Sequence, residues 1–345
     1  MRILVFSERL APPPDEGIKK LALSLAAALR DLGHDVLALT TGGADWPEMT
    51  VSDVPADRLL RSVALAARIG SFRPEAVVYI PTASLTLAAG LRGRMLKRHA
   101  GGAPVALIAT QGRRHNGLVR AAARLVAPDL CAAQSPATLA QAQALGWRTF
   151  RMSPGVDTTI FRPPLPEEKQ RLRLRHDLPL DAFIVLHVGH LNRRRGVTSL
   201  AAIADLALPV LAASTSTPQD AALADELGQA GVLMITRYVP QIVELYQAAD
   251  AYLFPVPPDP SDPSAMDLPL SVLEAVACNL PVLSTRFGAL PDLWPDQPGV
   301  IFWDDVATLR TGVIRLREAR PDTRSLAEPF SWHIAAARII DELVD

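Results

Sequence analysis

The sequence is poor in several features that would decide its class at once. It holds only two cysteines, Cys131 and Cys278, far apart and in no metal-ligand spacing. A disulfide scaffold and a cysteine metal centre are therefore excluded, and both residues read as buried thiols in a reducing cytoplasm. No apolar run approaches the ~18–20 residues that a membrane span requires. The start, MRILVFSERLAPPP, has a short apolar run and no small-residue cleavage pattern, so no signal peptide is expected. Aromatic residues make up 5% of the chain. The basic clusters RGRMLKRH (92–99) and RRHNGLVRAAAR (113–124) are not interleaved with them, which argues against a stacking platform for single-stranded nucleic acid.

Familiar catalytic signatures are missing too. There is no G-x-G-x-x-G after the first apolar run and no G-x-x-x-x-G-K-[ST] loop, so neither a dinucleotide fingerprint nor a P-loop is expected. The nucleophile elbow G-x-S-x-G is absent, which weakens a hydrolase reading. Without H-E-x-x-H or a Cys cluster, no dedicated metal site is expected.

What is present is a soluble globular composition, 49% hydrophobic and 21% charged, over 345 residues, which is long enough for two domains with separate cores. The net charge of −1 hides an asymmetry: residues 1–165 carry 20 Lys+Arg against 12 Asp+Glu, the remainder 15 against 24. A basic first half suits an anionic partner such as phosphate or an acidic lipid surface, although each cluster also reads as a solvated helix face.

Short apolar runs alternate with helical patterns along the whole chain. RILVF reads as a strand, and IKKLALSLAAALRDLG (18–33) as a helix with Leu21, Leu25, Ala28 and Leu32 on one face and Gly33 as its left-handed terminator. HDVLALT, AVVYI, PVALIAT, LCAAQ and TFRMS continue the series. Proline and charge density then mark a linker near 160–180. A second series follows: FIVLHVG, a helix from about 197, LPVLAAS, GVLMIT, AYLFPV and PVLST. Strand–helix–strand spacing of this kind implies βαβ units and parallel sheets. The expected fold is therefore α/β with two doubly wound domains, 1–165 and 166–325, and a closing helix over 326–345 that crosses back to the first. Ligands of such sheets bind beyond the carboxyl ends of the strands, here in the cleft between the domains. The Pro- and Asp-rich segment PVPPDPSDPSAMD (255–267) reads as an irregular loop in that position.

Polar groups gather at predicted strand ends. HVGHLNRRRG (187–196) places His190, Arg193, Arg194, Arg195 and a turn-forming Gly196 after the first strand of the second domain. Arginine suits diphosphate recognition through bidentate, charge-assisted hydrogen bonds. Consecutive arginines cannot all point one way, so one or two face the ligand. In SAMDLPLSVLEAVACNLPVLST (264–285) Pro269 suits the first turn of a helix and Asn279 its end. Leu270, Leu273, Val276 and Ala277 share one side. Glu274 falls at the edge of that side, neither central in the core nor in solvent, among small residues that leave room for a ligand hydroxyl. The helix start at Leu270 and Ser271 offers free N–H groups to an anion.

These residues resemble the family-4 retaining glycosyltransferases of the GT-B fold, which has two Rossmann-like domains. APPPDEGIKKLALSLAAALRDLGHDV is similar to that family's N-terminal pattern, PGVDTTIFRPP to its inter-domain signature, and VGHLNRRRG to its phosphate loop. YVPQIVELYQAADAYLFP and LPLSVLEAVACNLPVLSTRFGALPDLW are similar to its donor-site segments, and FSW (330–332) to the start of its closing helix. The resemblance implies transfer of a sugar from a nucleotide-diphosphate-sugar with retention, no cofactor and no obligatory metal. It implies that Glu274 binds the ribose hydroxyls and that Arg195 neutralises the diphosphate with His190 beside it. Gly17, with Glu16 before it, would bring a backbone amide to the donor phosphate, as would Leu270 and Ser271.

Two departures bear on catalysis. The family's sugar-holding Glu, eight positions before Glu274, is Met266 here, with Asp267 beside it as the replacement carboxylate. The family's sugar-side His corresponds to Gln111. Arg195, Asp267 and Gln111 are therefore the expected catalytic positions. A nucleotide- and sugar-binding protein with weak or no turnover is the alternative. Expected partners are the donor, a glycan, lipid or small-molecule acceptor and an anionic membrane surface, with no nucleic acid. The expected location is cytoplasmic, peripheral to the inner face of the membrane.

Overall fold

A computed structural model describes residues 1–41, 50–258, 265–295 and 297–344. The chain divides into two compact units, one of Met1–Gly155, Asp259–Leu268 and Trp332–Asp345, the other of Val156–Pro258 and Pro269–Ser331. The first division thus falls at Gly155, ahead of the boundary read at 165. Of the irregular segment 255–267, residues 259–264 lie outside the described residues.

In the first unit the strands are β1 (Arg2–Phe6), β2 (Asp35–Thr40), β3 (Val51–Asp53), β4 (Ala76–Tyr79), β5 (Val105–Ala109), β6 (Leu130–Ala133) and β7 (Thr149–Arg151). Among the described residues they form one sheet in the order β3-β2-β1-β4-β5-β6-β7, with neighbours parallel. Helices α1 (Gly17–Asp31), α2 (Val63–Phe72), α3 (Leu87–His99), α4 (Gly117–Arg124) and α5 (Pro136–Ala144) lie between them in sequence. Runs such as VALIA are buried at every position because helices cover both faces of a parallel sheet. The left-handed turn read at Gly33 is present, with φ 84°.

The second unit opens with α6 (Pro166–Arg175), inside the stretch that reads as a linker. Pro166 stands in its first turn and Glu168 reaches back to the Leu165 N–H at 3.0 Å, a start signal hidden in a Pro- and charge-rich segment. Its strands are β8 (Ile184–Gly189), β9 (Leu208–Ala213), β10 (Leu233–Ile235), β11 (Ala251–Phe254), β12 (Val282–Ser284) and β13 (Val300–Phe302). Their order is β10-β9-β8-β11-β12-β13, again parallel among the described residues. Its other α-helices are α7 (Ala221–Gln229), α8 (Val243–Ala248), α9 (Leu270–Ala277), α10 (Leu290–Leu293) and α11 (Val306–Glu318), and the chain ends in α12 (Trp332–Val344). The helix read from about 197 is a 3₁₀ segment, Val197–Ile203, and Val197, Leu200 and Ile203 are its buried positions. Its three-residue turn stacks those three side chains on one line.

α12 belongs to the first unit and packs on α1, burying Ala335, Ala336, Ile339, Ile340 and Leu343. Both cysteines are buried free thiols, and burial raises the Cys131 thiol to about 12. Among the described residues no helix is long and apolar enough to cross a membrane.

Candidate nucleotide-sugar site

The expected site residues fall into two groups, one in each unit. In the second unit Glu274 is not at a margin: it is buried, 4% exposed, inside α9. The hydroxyl of Tyr246 on α8 donates to its carboxylate at 2.8 Å. Tyr246 stacks on Tyr252 of β11 with ring centroids 5.7 Å apart, and Phe161 meets the edge of Tyr246 at 5.8 Å. Burial first, and then the Glu274 charge, drive the Tyr246 phenol well above its ordinary range, which keeps it a donor. The Tyr252 hydroxyl donates to the Val188 carbonyl at 3.3 Å and also bonds Ser271. Two tyrosines thus join the helix that carries Glu274 to the strand that leads to His190.

The far end of α9 is fixed as firmly. Asn279 takes φ 61° and its side-chain oxygen accepts from the N–H groups of Thr323 (2.7 Å) and Arg324 (3.1 Å). The Arg324 guanidinium donates to the carbonyls of Phe161 (2.6 Å), Thr158 (2.8 Å) and Ala277. A cation at the carboxyl end of a helix favours the local dipole.

After β8 the chain turns through a short 3₁₀ helix, Arg193–Arg195, started by Asn192 accepting from the Arg194 N–H at 2.9 Å. Gly196 ends it at φ 69°, and a Cβ there would lie 2.1 Å from the Pro255 carbonyl oxygen, so no other residue fits. The three arginines separate as expected of neighbours. Arg193 pairs with Glu226 on the surface and Arg194 is exposed, while Arg195 is half-buried with a guanidinium nitrogen 3.4 Å from His190 Nδ1. His187 on β8 is fully buried and bonds the Leu253 carbonyl through Nδ1 at 2.9 Å, which makes Nδ1 the protonated nitrogen. Burial lowers its pKa to about 4, so it stays neutral beneath the cationic loop.

In the first unit Gly17 opens α1. The Glu16 side chain makes no capping bond to that helix, and no acid stands in its first turn. A Cβ at Gly17 would lie 2.6 Å from Met266 Sδ, so the thioether rests directly on the glycine. Asp267 is tied down beside it. Its N–H donates to the Thr110 carbonyl at 2.8 Å, and its carboxylate accepts from the hydroxyls of Ser135 (2.6 Å) and Thr138 and from the Gly112 N–H. Ser135 is also the N-cap of α5, so the carboxylate sits at the positive end of that helix. Burial raises the Asp267 pKa and these hydrogen bonds oppose it. Gln111 lies between Thr110 and Gly112, both of which hold Asp267. Gly17, Met266, Asp267 and Gln111 are therefore assembled around the carboxyl ends of β1 and β5.

Two features escaped the sequence reading. Tyr246 stands in the segment YVPQIVELYQAADAYLFP, yet nothing in its spacing announces a partner 28 positions on. Glu8 follows β1 as the second residue beyond it, and its carboxylate accepts from Tyr79 (2.5 Å), Arg92 (2.9 Å) and the Thr82 N–H (2.9 Å). A carboxylate just past a buried strand was the available signal.

Two Rossmann-like units with polar groups at the carboxyl ends of their strands define the GT-B fold. Solved structures of that fold superpose over the whole chain. Sucrose-phosphate synthase from Thermosynechococcus elongatus matches with a TM-score of 0.75 at 17% identity, covering 99% of this chain and 98% of its own. Anabaena Alr3699/HepE in complex with UDP and glucose matches with a TM-score of 0.76 at 16% identity, covering all of both chains. Residues 182–318 match the family model of glycosyl transferases group 1. Among curated relatives, the sulfoquinovosyl transferase of Arabidopsis thaliana is 27% identical over 54% of this chain and 38% of its own length. D-inositol 3-phosphate glycosyltransferase 1 of Catenulispora acidiphila is 28% identical over 72% of this chain and 63% of its own. The GDP-mannose-dependent phosphatidylinositol monomannoside mannosyltransferase of Mycolicibacterium smegmatis is 28% identical over 47% of this chain and 45% of its own. The chain spans less than two thirds of the length of each.

Proposed function

We propose that the protein is a retaining glycosyltransferase that moves a sugar from a nucleotide-diphosphate-sugar to an acceptor without an obligatory metal. The observation that carries the reading is Glu274, a buried carboxylate held by Tyr246 in the same unit that presents Arg195 and His190. A carboxylate with fixed orientation accepts two vicinal hydroxyls of a ribose. Arg195, His190 and the N–H groups at Leu270 and Ser271 take the diphosphate. The C1–phosphate oxygen bond breaks as the acceptor oxygen bonds C1 on the same face. The acceptor proton passes to the departing diphosphate oxygen, and the nucleoside diphosphate leaves. Negative charge grows on the leaving group, and the fixed cation at Arg195 stabilises it.

In this reading Asp267 acts as a positioning residue. Its carboxylate is spent on Ser135, Thr138 and Gly112, and it thereby fixes the backbone at Gln111 and Met266 beside it. UDP-glucose is the first donor to test, because UDP and glucose occupy the Anabaena neighbour and UDP-glucose another structure of it. Calorimetry with UDP, GDP and their sugars, followed by a nucleotide-release assay over lipid, glycan and small-molecule acceptors, decides the matter. Binding of a donor with release dependent on an acceptor is expected. Binding without release over all acceptors would leave the non-catalytic alternative standing.

For the acceptor side we propose contact with an anionic membrane. On α4 and at its end Leu118 and Leu125 are 85% and 72% exposed, one heptad apart on one face, and Arg114, Arg120 and Arg124 are exposed on the same segment. A lipid acceptor, as in the name of the mannosyltransferase relative, fits that surface. Co-sedimentation with phosphatidylserine-containing vesicles at low salt is expected, and the Leu118→Glu/Leu125→Glu variant should stay in the supernatant. Equal sedimentation of both proteins, or of neither, defeats this part of the proposal.

A further inference from the structure

At the opposite end of β8 from His190 and Arg195 lies a cavity of about 440 Å³ that the proposed reaction does not use. It is bounded by Ala182 and Phe183, which precede β8, and by Asp250, which precedes β11. The residues after β8 that face the nucleotide lie a full strand away, roughly 17 Å for six residues.

The cavity wall has two layers of charge. In the inner layer Asp250, 4% exposed, receives Lys169 at 2.7 Å and Arg173 at 2.6 Å, together with the Ile184 N–H at 2.8 Å. Arg173 spends its other N–H groups on the carbonyls of Ala248, Leu180 and Ala182. Those contacts hold α6 to the strand starts, while Lys169 still lines the cavity. The outer layer is different. Arg317, in the last turn of α11, and Arg320, two residues beyond it, both lie over the Phe183 ring, their guanidinium carbons 5.9 and 5.7 Å from its centroid. Arg320 also reaches Asp250 at 3.2 Å, as the third cation on one carboxylate. With Asp181 on the rim, four cations surround two acids. Like charges gathered at one concavity repel one another, and an aromatic face orders guanidinium groups without neutralising them. A bound dianion would remove that excess, and paired guanidinium groups present the forked donors that phosphate oxygens accept.

We propose that this concavity binds a small phosphate-bearing molecule, held by Arg317, Arg320 and Lys169, at a site separate from the nucleotide-sugar site. The volume exceeds that of phosphate alone and suits a phosphorylated metabolite of sugar size. The proposal stands whether or not the transferase reading does, since it uses none of the same residues.

The test is calorimetric titration of the full chain with inorganic phosphate and, separately, with glucose 6-phosphate, both at an ionic strength fixed with chloride. Saturable binding to one site is expected, weakened at least about tenfold in Arg317→Ala/Arg320→Ala and less in the double lysine variant, which keeps charge but loses the fork. Tighter binding of glucose 6-phosphate than of phosphate identifies a sugar monoester, and equal binding identifies the free anion. Arg195→Ala must leave the binding unchanged. A second readout needs no variant: acylation of Lys169 in the native protein, followed by mass spectrometry, should fall when phosphate replaces chloride. Binding that survives the double alanine change, binding lost in Arg195→Ala, or Lys169 acylation indifferent to phosphate would overturn the proposal.

Discussion

Arg195→Ala is expected to reduce sugar-transfer turnover about 10²- to 10³-fold, the range seen when one fixed donor to a developing negative charge is removed. Arg195 is selected over its neighbours by geometry. Arg193 is committed to Glu226 and Arg194 is exposed, whereas Arg195 is half-buried against His190. Arg193→Ala should therefore leave turnover within about twofold, since surface ion pairs contribute little. Glu274→Ala should act differently, weakening nucleotide affinity about 10- to 100-fold through the loss of charge-assisted hydrogen bonds. Tyr246→Phe removes the hydroxyl that orients Glu274, so its effect should be smaller and should appear in KM more than in kcat. Steady-state kinetics with the donor found by calorimetry read all four variants. Equal kcat and KM for Arg195→Ala, Glu274→Ala and the parent protein would remove the assignment of this site.

Asp250→Ala is expected to destabilise the second unit by about 3–5 kcal/mol, the cost of leaving buried cations without their carboxylate. Arg173 is 5% exposed and Lys169 is largely covered, and neither can swing into water without giving up the carbonyls it already bonds. Burial works against the Asp250 charge, yet Lys169, the Ile184 N–H and Arg173 hold its pKa below the ordinary value. Its contribution to stability is therefore present at neutral pH and lost as pH falls through the folded-state pKa. Asp250→Asn keeps an acceptor for the Ile184 N–H and should fall between the parent and the alanine variant. Urea denaturation followed by fluorescence, at pH 7 and again near pH 2, below the ordinary aspartate range, measures both the size and the sign. An alanine variant as stable as the parent at pH 7 would show that the cluster is solvated rather than buried.

The sequence made the fold legible because parallel strands covered on both faces leave continuous apolar runs, and each such run reappears as a strand. It was less informative where polarity and local geometry conflict. α6 buries little beyond Leu172 and Arg173, so its ten residues show no apolar stripe, and the prolines at and before its start suggested a linker. The segment from Val197 has a three-residue repeat that reads equally as one face of an α-helix. The turn that carries Arg195 and the helix that carries Glu274 were legible because flanking glycine, proline and small residues mark turns and helix ends. The depth of Glu274 was not recoverable, since it depends on Tyr246 and Phe161, which come from other elements. Asp267 shows the same limit: its hydroxyl partners lie 132 and 129 positions away, a proximity created only by folding.

The route of the chain bears on how such a protein can change over evolutionary time. The first unit is assembled from three separate stretches, the last being the helix that packs on α1, and the middle one carries Met266 and Asp267. Splicing in a foreign second half at Gly155 would strip the first unit of the thioether on Gly17, the anion at the start of α5 and the partner of α1. New acceptor or donor preferences are thus open to point substitution and loop exchange, while recombination of whole halves must carry several seams at once to succeed.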